Sequence, residues 1–181
     1  MKNRRRLAAL ALTIVIVFLG CRNGARAQGR RVSPHETTMA TVDGSAMFIE
    51  YGRPSMRGRT IFGSLVRYDE VWCPGADEAT MLSTSRSLKI GSLAVPAGEY
   101  SLWMIPTEGT WTLILNKDAH TFHTNHRGSR DLGRVELKKQ ALSSPVEQLT
   151  FAIESNTPRP GGRIVMTWAD TEVSAPFLVG E

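Results

Sequence analysis

The stretch EYSLWMIPTEGTWTLILN, residues 99–116, decides the fold. Two runs rich in β-branched, aromatic and aliphatic residues, 99–105 and 111–116, flank Pro106, Thr107, Glu108 and Gly109. Such runs suit a pleated, half-buried surface, and the Pro and Gly between them supply the dihedral angles of a chain reversal. This reads as the central hairpin of an antiparallel sheet.

The pattern repeats on either side. Residues 37–42 and 46–51 flank Asp43-Gly44, a dipeptide suited to a type I′ turn because Gly tolerates positive φ. Met47, Ile49 and Tyr51 share one face of the second run, which predicts a strand buried on at least one side. Further strands are expected at 80–85, 88–90, 134–138, 146–154, 163–168 and 172–179, with turns at Gly91-Ser92 and across 158–162. No segment sustains a helical period. The pattern predicts an all-β fold, a single antiparallel β-sandwich of about nine short strands. Tyr100, entering its strand after Gly98, is expected to form a corner in which the phenol bonds nearby backbone. Trp103, Trp111 and Trp168 alternate with aliphatics and are expected in the core.

The chain starts MKNRRR, and an apolar run with one Thr fills 7–19, the layout of a secretion signal. A membrane-spanning helix needs about 20 apolar residues, and this run stops short of that. Residues 1–27 are read as a cleaved signal peptide, 28–34 as a flexible tether and 35–181 as the β-sandwich domain. Ala25-Arg26-Ala27 has the small-x-small pattern of signal cleavage, leaving Gln28 first. Phe18-Leu19-Gly20-Cys21 resembles a lipobox, in which Cys21 receives a lipid. Both readings place the domain outside the inner membrane, in the periplasm or cell envelope, and only the second attaches it to a membrane.

Removing the leader changes the charge. The sequence pI of about 9.6 counts it, yet six of the 22 Lys and Arg precede Gln28 with no acid among them, leaving 16 bases against 17 acids. No basic stripe survives, so nucleic acid is excluded as an expected partner. Cys21 and Cys73 are the only cysteines, and Cys21 is either removed or lipidated, so no intramolecular disulfide is expected. About 150 residues bury enough surface to fold without one.

Two long segments lack a strand pattern, 53–78 and 117–133, and long loops in compact domains are often functional. The first packs Arg53, Arg57, Arg59 and Arg67 with Asp69, Glu70, Asp77 and Glu78 around Tyr68 and Trp72. The blocks YGRPSMRGRTIFGSLVRYDEVW (51–72), GADEAT (75–80), LAVPAGEYSLWMIP (93–106), WTLILNK (111–117) and SRDLGRVEL (129–137) resemble the bacterial family catalogued as domain of unknown function 2911. The resemblance covers the chain from about Ser33 to the last strand. It implies a secreted or lipid-anchored β-sandwich and no assigned activity. The family usually carries Arg after the Trp and Asn in the GANEAT block. Cys73 and Asp77 stand at those positions here, so a ligand held through that Arg would be handled differently.

Arg53, Arg59, Trp72, Asp77 and Glu78 are the candidate ligand-binding residues. Arginines present planar forks to carboxylate or phosphate, and Trp72 offers a face to a flat group. The competing reading is structural, with Arg–acid pairs and turns holding a long crossover in place. Glu78 is the candidate for acid/base work, on the expectation that Trp72 and Pro74-Gly75 desolvate it. His120, His123 and His126 form HxxHxxH, and imidazoles suit transition metals, so a metal site is the alternative to solvated loop histidines. Cys73 has no partner base in the sequence, and GxSxG, HExxH and phosphate-loop motifs are absent. The expectation is a non-catalytic envelope module, without cofactor, that binds a small polar ligand or a partner protein. The alternative is a hydrolase-like or metal-dependent enzyme using Glu78 with Arg59, or the three histidines.

Overall fold

A computed structural model describes residues 32–180. The expected signal over 1–27, with Cys21, and the start of the expected tether lie outside the described residues. The chain is all-β: β1 (His35–Val42), β2 (Ser45–Gly52), β3 (Met81–Thr84), β4 (Leu88–Ile90), β5 (Leu93–Val95), β6 (Gly98–Ile105), β7 (Trp111–Asn116), β8 (Asp131–Ser155) and β9 (Gly162–Val179). Among the described residues the sole helical piece is a 3₁₀ turn at Gly128–Arg130.

All nine strands pair antiparallel in one open sheet, in the order β1-β2-β3-β6-β7-β8-β9-β4-β5. The hairpin that decided the fold is β6–β7, with Ser101 opposite Asn116 and Ile105 opposite Thr112. Asp43 and Gly44 both adopt positive φ between the paired Val42 and Ser45, the type I′ geometry their sequence called for. The Tyr100 hydroxyl donates to the Pro96 carbonyl at 3.0 Å, forming the expected corner.

One correction concerns strand length. The runs 134–138 and 146–154 belong to one strand, as do 163–168 and 172–179, because the residues between them bulge instead of turning. Ala141 pairs with Thr171 and Val146 with Ala169, so the chain around Pro145 loops outward against a short stretch of β9. Pro145 has no N–H for a ladder and Ala169 sits at φ +53, both features of a bulge. The expected all-β antiparallel architecture of nine strands stands, continuous through β8. β8 pairs with β7 through its first residues and with β9 through the rest.

The two halves share a core. Tyr51 of β2 meets Phe151 of β8 edge-on at 5.1 Å, and the Phe151 N–H donates to the Tyr51 hydroxyl at 3.1 Å. Trp103, Trp111 and Trp168 are buried as expected. Phe62, from the first long segment, stands edge-on to Trp111 at 4.7 Å and to Trp168 at 6.1 Å. Each such aromatic pair adds about 0.5–1.5 kcal/mol beyond the area it buries. The crossover is thereby fastened to the core, and its polar residues are held at fixed places on the surface.

Candidate functional site

The two segments without strand pattern lie against each other. The Ala79 N–H donates to the Thr121 carbonyl at 2.9 Å, the His123 N–H to the Asp77 carbonyl at 3.1 Å, and Glu78 bridges Phe122. Together they cover a second, small apolar cluster of Cys73, Ala79, Trp103 and Ile114. The second segment is pinned from within. Asn116, buried, donates to the Arg127 carbonyl and to Asp131, each at 2.8 Å, while its own side-chain oxygen accepts from the Asp118 N–H at 2.9 Å. Asp118 then receives Arg127 at 2.6 Å and Arg130 at 3.0 Å. The Arg127 hydrogen bond, joined by that of Arg130, outweighs desolvation and holds the Asp118 carboxyl below the usual range.

Of the clefts that open beside these segments, two adjoin both of them. The first, about 510 Å³, is lined by His35, Glu50, Glu78, Met81, His120 and Phe122 among others. The second, about 490 Å³, is lined by Arg57, Arg59, Trp72, Asp77, His123 and Trp168 among others. They meet at one hydrogen bond, in which His35 of the first lining donates to the Asp77 carboxylate of the second at 3.2 Å. Both volumes fall within the range of small-molecule pockets, roughly 300–1,000 Å³.

The sequence-derived candidates divide between these places. Arg59, Trp72 and Asp77 come together in the second cleft. Glu78 lines the first instead, with a side chain 56% exposed and 3.5 Å from His35, so the desolvation expected from Trp72 is not what surrounds it. Arg53 does not border the cleft beside Trp72. Its Nε donates to the Leu149 carbonyl at 3.1 Å, one Nη to Thr150 at 2.8 Å and the other to Glu36. It is a clamp between β1, the end of β2 and β8.

The three histidines diverge. His120 donates to Glu99 at 2.9 Å, His126 to Asp131 at 2.8 Å, and His123 uses Nδ1 on the Asp77 carbonyl at 2.6 Å. Among the described residues no three His, Cys, Asp or Glu side chains are placed to hold one metal ion. Cys73 is buried, and burial pushes its thiol up to about 12, which leaves it protonated and a poor nucleophile.

The second cleft has an aromatic wall and a cationic rim. Trp72 stacks on Trp168 with centroids 6.1 Å apart and planes 15° from parallel, and its backbone pairs with Met104 in both directions at 2.8 Å. Arg59 is held by its own loop, Nε on the Met56 carbonyl at 2.8 Å and Nη2 on that of Ser55 at 2.7 Å. Arg57 sits at φ +51, unusual for a residue with a side chain, with its N–H on the Glu147 carboxylate at 2.9 Å. Asp77, on the same lining, is at φ +67. Such dihedrals cost about 1–3 kcal/mol each and persist where the surroundings impose them. Among the described residues no carboxylate forms an ion pair with the guanidinium of Arg57 or Arg59. Two positive charges therefore border a flat aromatic surface, an arrangement whose chemistry suits an anion carrying a flat or apolar part.

Sequence reasoning missed Arg57 as a site residue and read His123 as a solvated loop histidine or, alternatively, a metal ligand. Arg57 was visible in the dense block, but that its guanidinium pairs with no carboxylate among the described residues depends on which acids the fold brings near. A family model described as protein of unknown function (DUF2911) matches residues 33–177. No curated protein and no solved structure matches the chain.

Proposed function

We propose that this chain, which belongs to the DUF2911 family, is an exported cell-envelope module that binds a small anionic ligand in the cleft beside Trp72. The observation that carries this reading is the pair Arg57 and Arg59. Both border the cleft, and among the described residues neither guanidinium has a carboxylate partner; Arg86 and Arg159 also have none but lie outside the lining, whereas Arg53, Arg67, Arg127, Arg130, Arg134 and Arg163 are paired. Arg59 is preorganised by two backbone carbonyls, which reduces the ordering cost of capturing a carboxylate or phosphate. Trp72, backed by Trp168, offers its face to the flat part of that ligand. The secretion-signal pattern of residues 1–27 supports export, and Cys21 supports a lipid anchor as one form of it.

The experiment is a thermal-shift screen of the mature chain against carboxylates, phosphates and matched neutral compounds. Stabilising hits drawn from the anions, lost in an Arg57→Ala/Arg59→Ala double variant, support the reading. Hits spread evenly over neutral and anionic compounds, and retained in the double variant, contradict it.

A further inference from the structure

The hydrogen-bonding role of one group in the cleft beside Trp72 is dictated by its neighbour. Nδ1 of His123 lies 2.6 Å from the carbonyl oxygen of Asp77, and a carbonyl oxygen only accepts. Nδ1 therefore carries the proton, and in the neutral ring Nε2 keeps a lone pair. The ring is also held in place, since the His123 N–H donates to the same carbonyl at 3.1 Å and Phe122 lies against it at 4.4 Å. His120 and His126 spend Nε2 on Glu99 and Asp131. His123 differs from both: it borders the cleft, and among the described residues its Nε2 has no protein partner. Asp77, the carboxylate of the same lining, already accepts from His35.

We infer that Nε2 of His123 is the acceptor by which the cleft selects, among the anions drawn by Arg57 and Arg59, those bearing a hydroxyl on a flat ring: aromatic hydroxy acids. This rests on the anion-site reading. The arginines take the acid group, the ring lies on Trp72, and the ligand hydroxyl donates to His123. A ring without that hydroxyl leaves Nε2 desolvated and unpaired, which is how a hydrogen-bonding site discriminates. Histidine here is a binding group whose protonated nitrogen is fixed by the backbone, in contrast to the metal role that HxxHxxH suggested.

The test titrates the mature chain at mildly alkaline pH with benzoate and with 2-, 3- and 4-hydroxybenzoate. At least one hydroxybenzoate is expected to bind about three- to tenfold tighter than benzoate, the range of one hydrogen bond. His123→Phe is expected to erase that gain, so that no hydroxybenzoate binds tighter than benzoate. A gain that survives in His123→Phe, or hydroxybenzoates no tighter than benzoate, overturns the inference alone. Binding of all four acids that is absent, or identical in the Arg57→Ala/Arg59→Ala variant, overturns the anion-site reading and the inference with it. Long-range ¹H–¹⁵N correlation of the His123 ring gives an independent readout: a proton on Nδ1 is expected, and one on Nε2 overturns the inference without any ligand.

Discussion

The first cleft and the second are nearly equal in volume and touch at the His35–Asp77 hydrogen bond, yet they treat charge in opposite ways. In the first, the basic groups have acids beside them: His35 is 3.2 Å from Asp77 and 3.5 Å from Glu78, and His120 is 2.9 Å from Glu99. In the second, two permanently charged guanidinium groups are held by backbone contacts, and among the described residues no carboxylate pairs with them. A fold compensates charge where charge serves packing. The proposed reading gives the uncompensated pair a ligand as its partner.

That contrast can be broken at its floor with the largest effect. Trp72→Ala removes the stack on Trp168 and the edge contacts to Phe62 and Trp111. It is expected to cost about 3 kcal/mol in chemical denaturation, the lower end for tryptophan truncation because Trp72 is only partly buried. A change below about 1 kcal/mol would show that the wall is not supported by the core.

The arginines sharpen the contrast further. Arg53→Ala strands the Leu149 carbonyl, Thr150 and Glu36, and is expected to destabilise by about 1–3 kcal/mol without altering anion binding. Arg57→Ala is expected to stay within about 0.5 kcal/mol of the native chain and to weaken anion binding. Equal stability losses in the two variants would erase the distinction between clamp and rim.

The smallest effect is the pH dependence of the segment that carries His123. Asp118 has its carboxyl lowered in the folded chain by Arg127 and Arg130, so its contribution is present above the ordinary carboxyl value of 3.8 and fades as pH falls through the lower folded value. The stability difference between native and Asp118→Asn is expected to be full near neutrality and to shrink under strong acid. A difference that grows on acidification would reverse the sign and refute the pairing.

Local chemistry explains what was legible in the sequence. The β6–β7 hairpin, the Asp43-Gly44 turn and the Tyr100 corner each depend on residues a few positions apart, and all three stand as read. The merged strands were not legible, because Pro145 reads as a break, Ala169 carries no local signal, and both form bulges only when β8 and β9 lie side by side. The site was half legible. Arg59, Trp72 and Asp77 share one block of chain and converge. The neutralisation of Arg53 by Glu36, the tie of Arg57 to Glu147 and the commitment of His123 to Asp77 depend on residues that only the fold makes neighbours.

The most direct test of the central claim is a benzoate titration followed by tryptophan fluorescence, comparing the native chain with the Arg57→Ala/Arg59→Ala variant. Saturable quenching in the native chain, absent from a variant of unchanged stability, is the predicted result. Identical curves for the two proteins would contradict the claim that these arginines make the cleft an anion site.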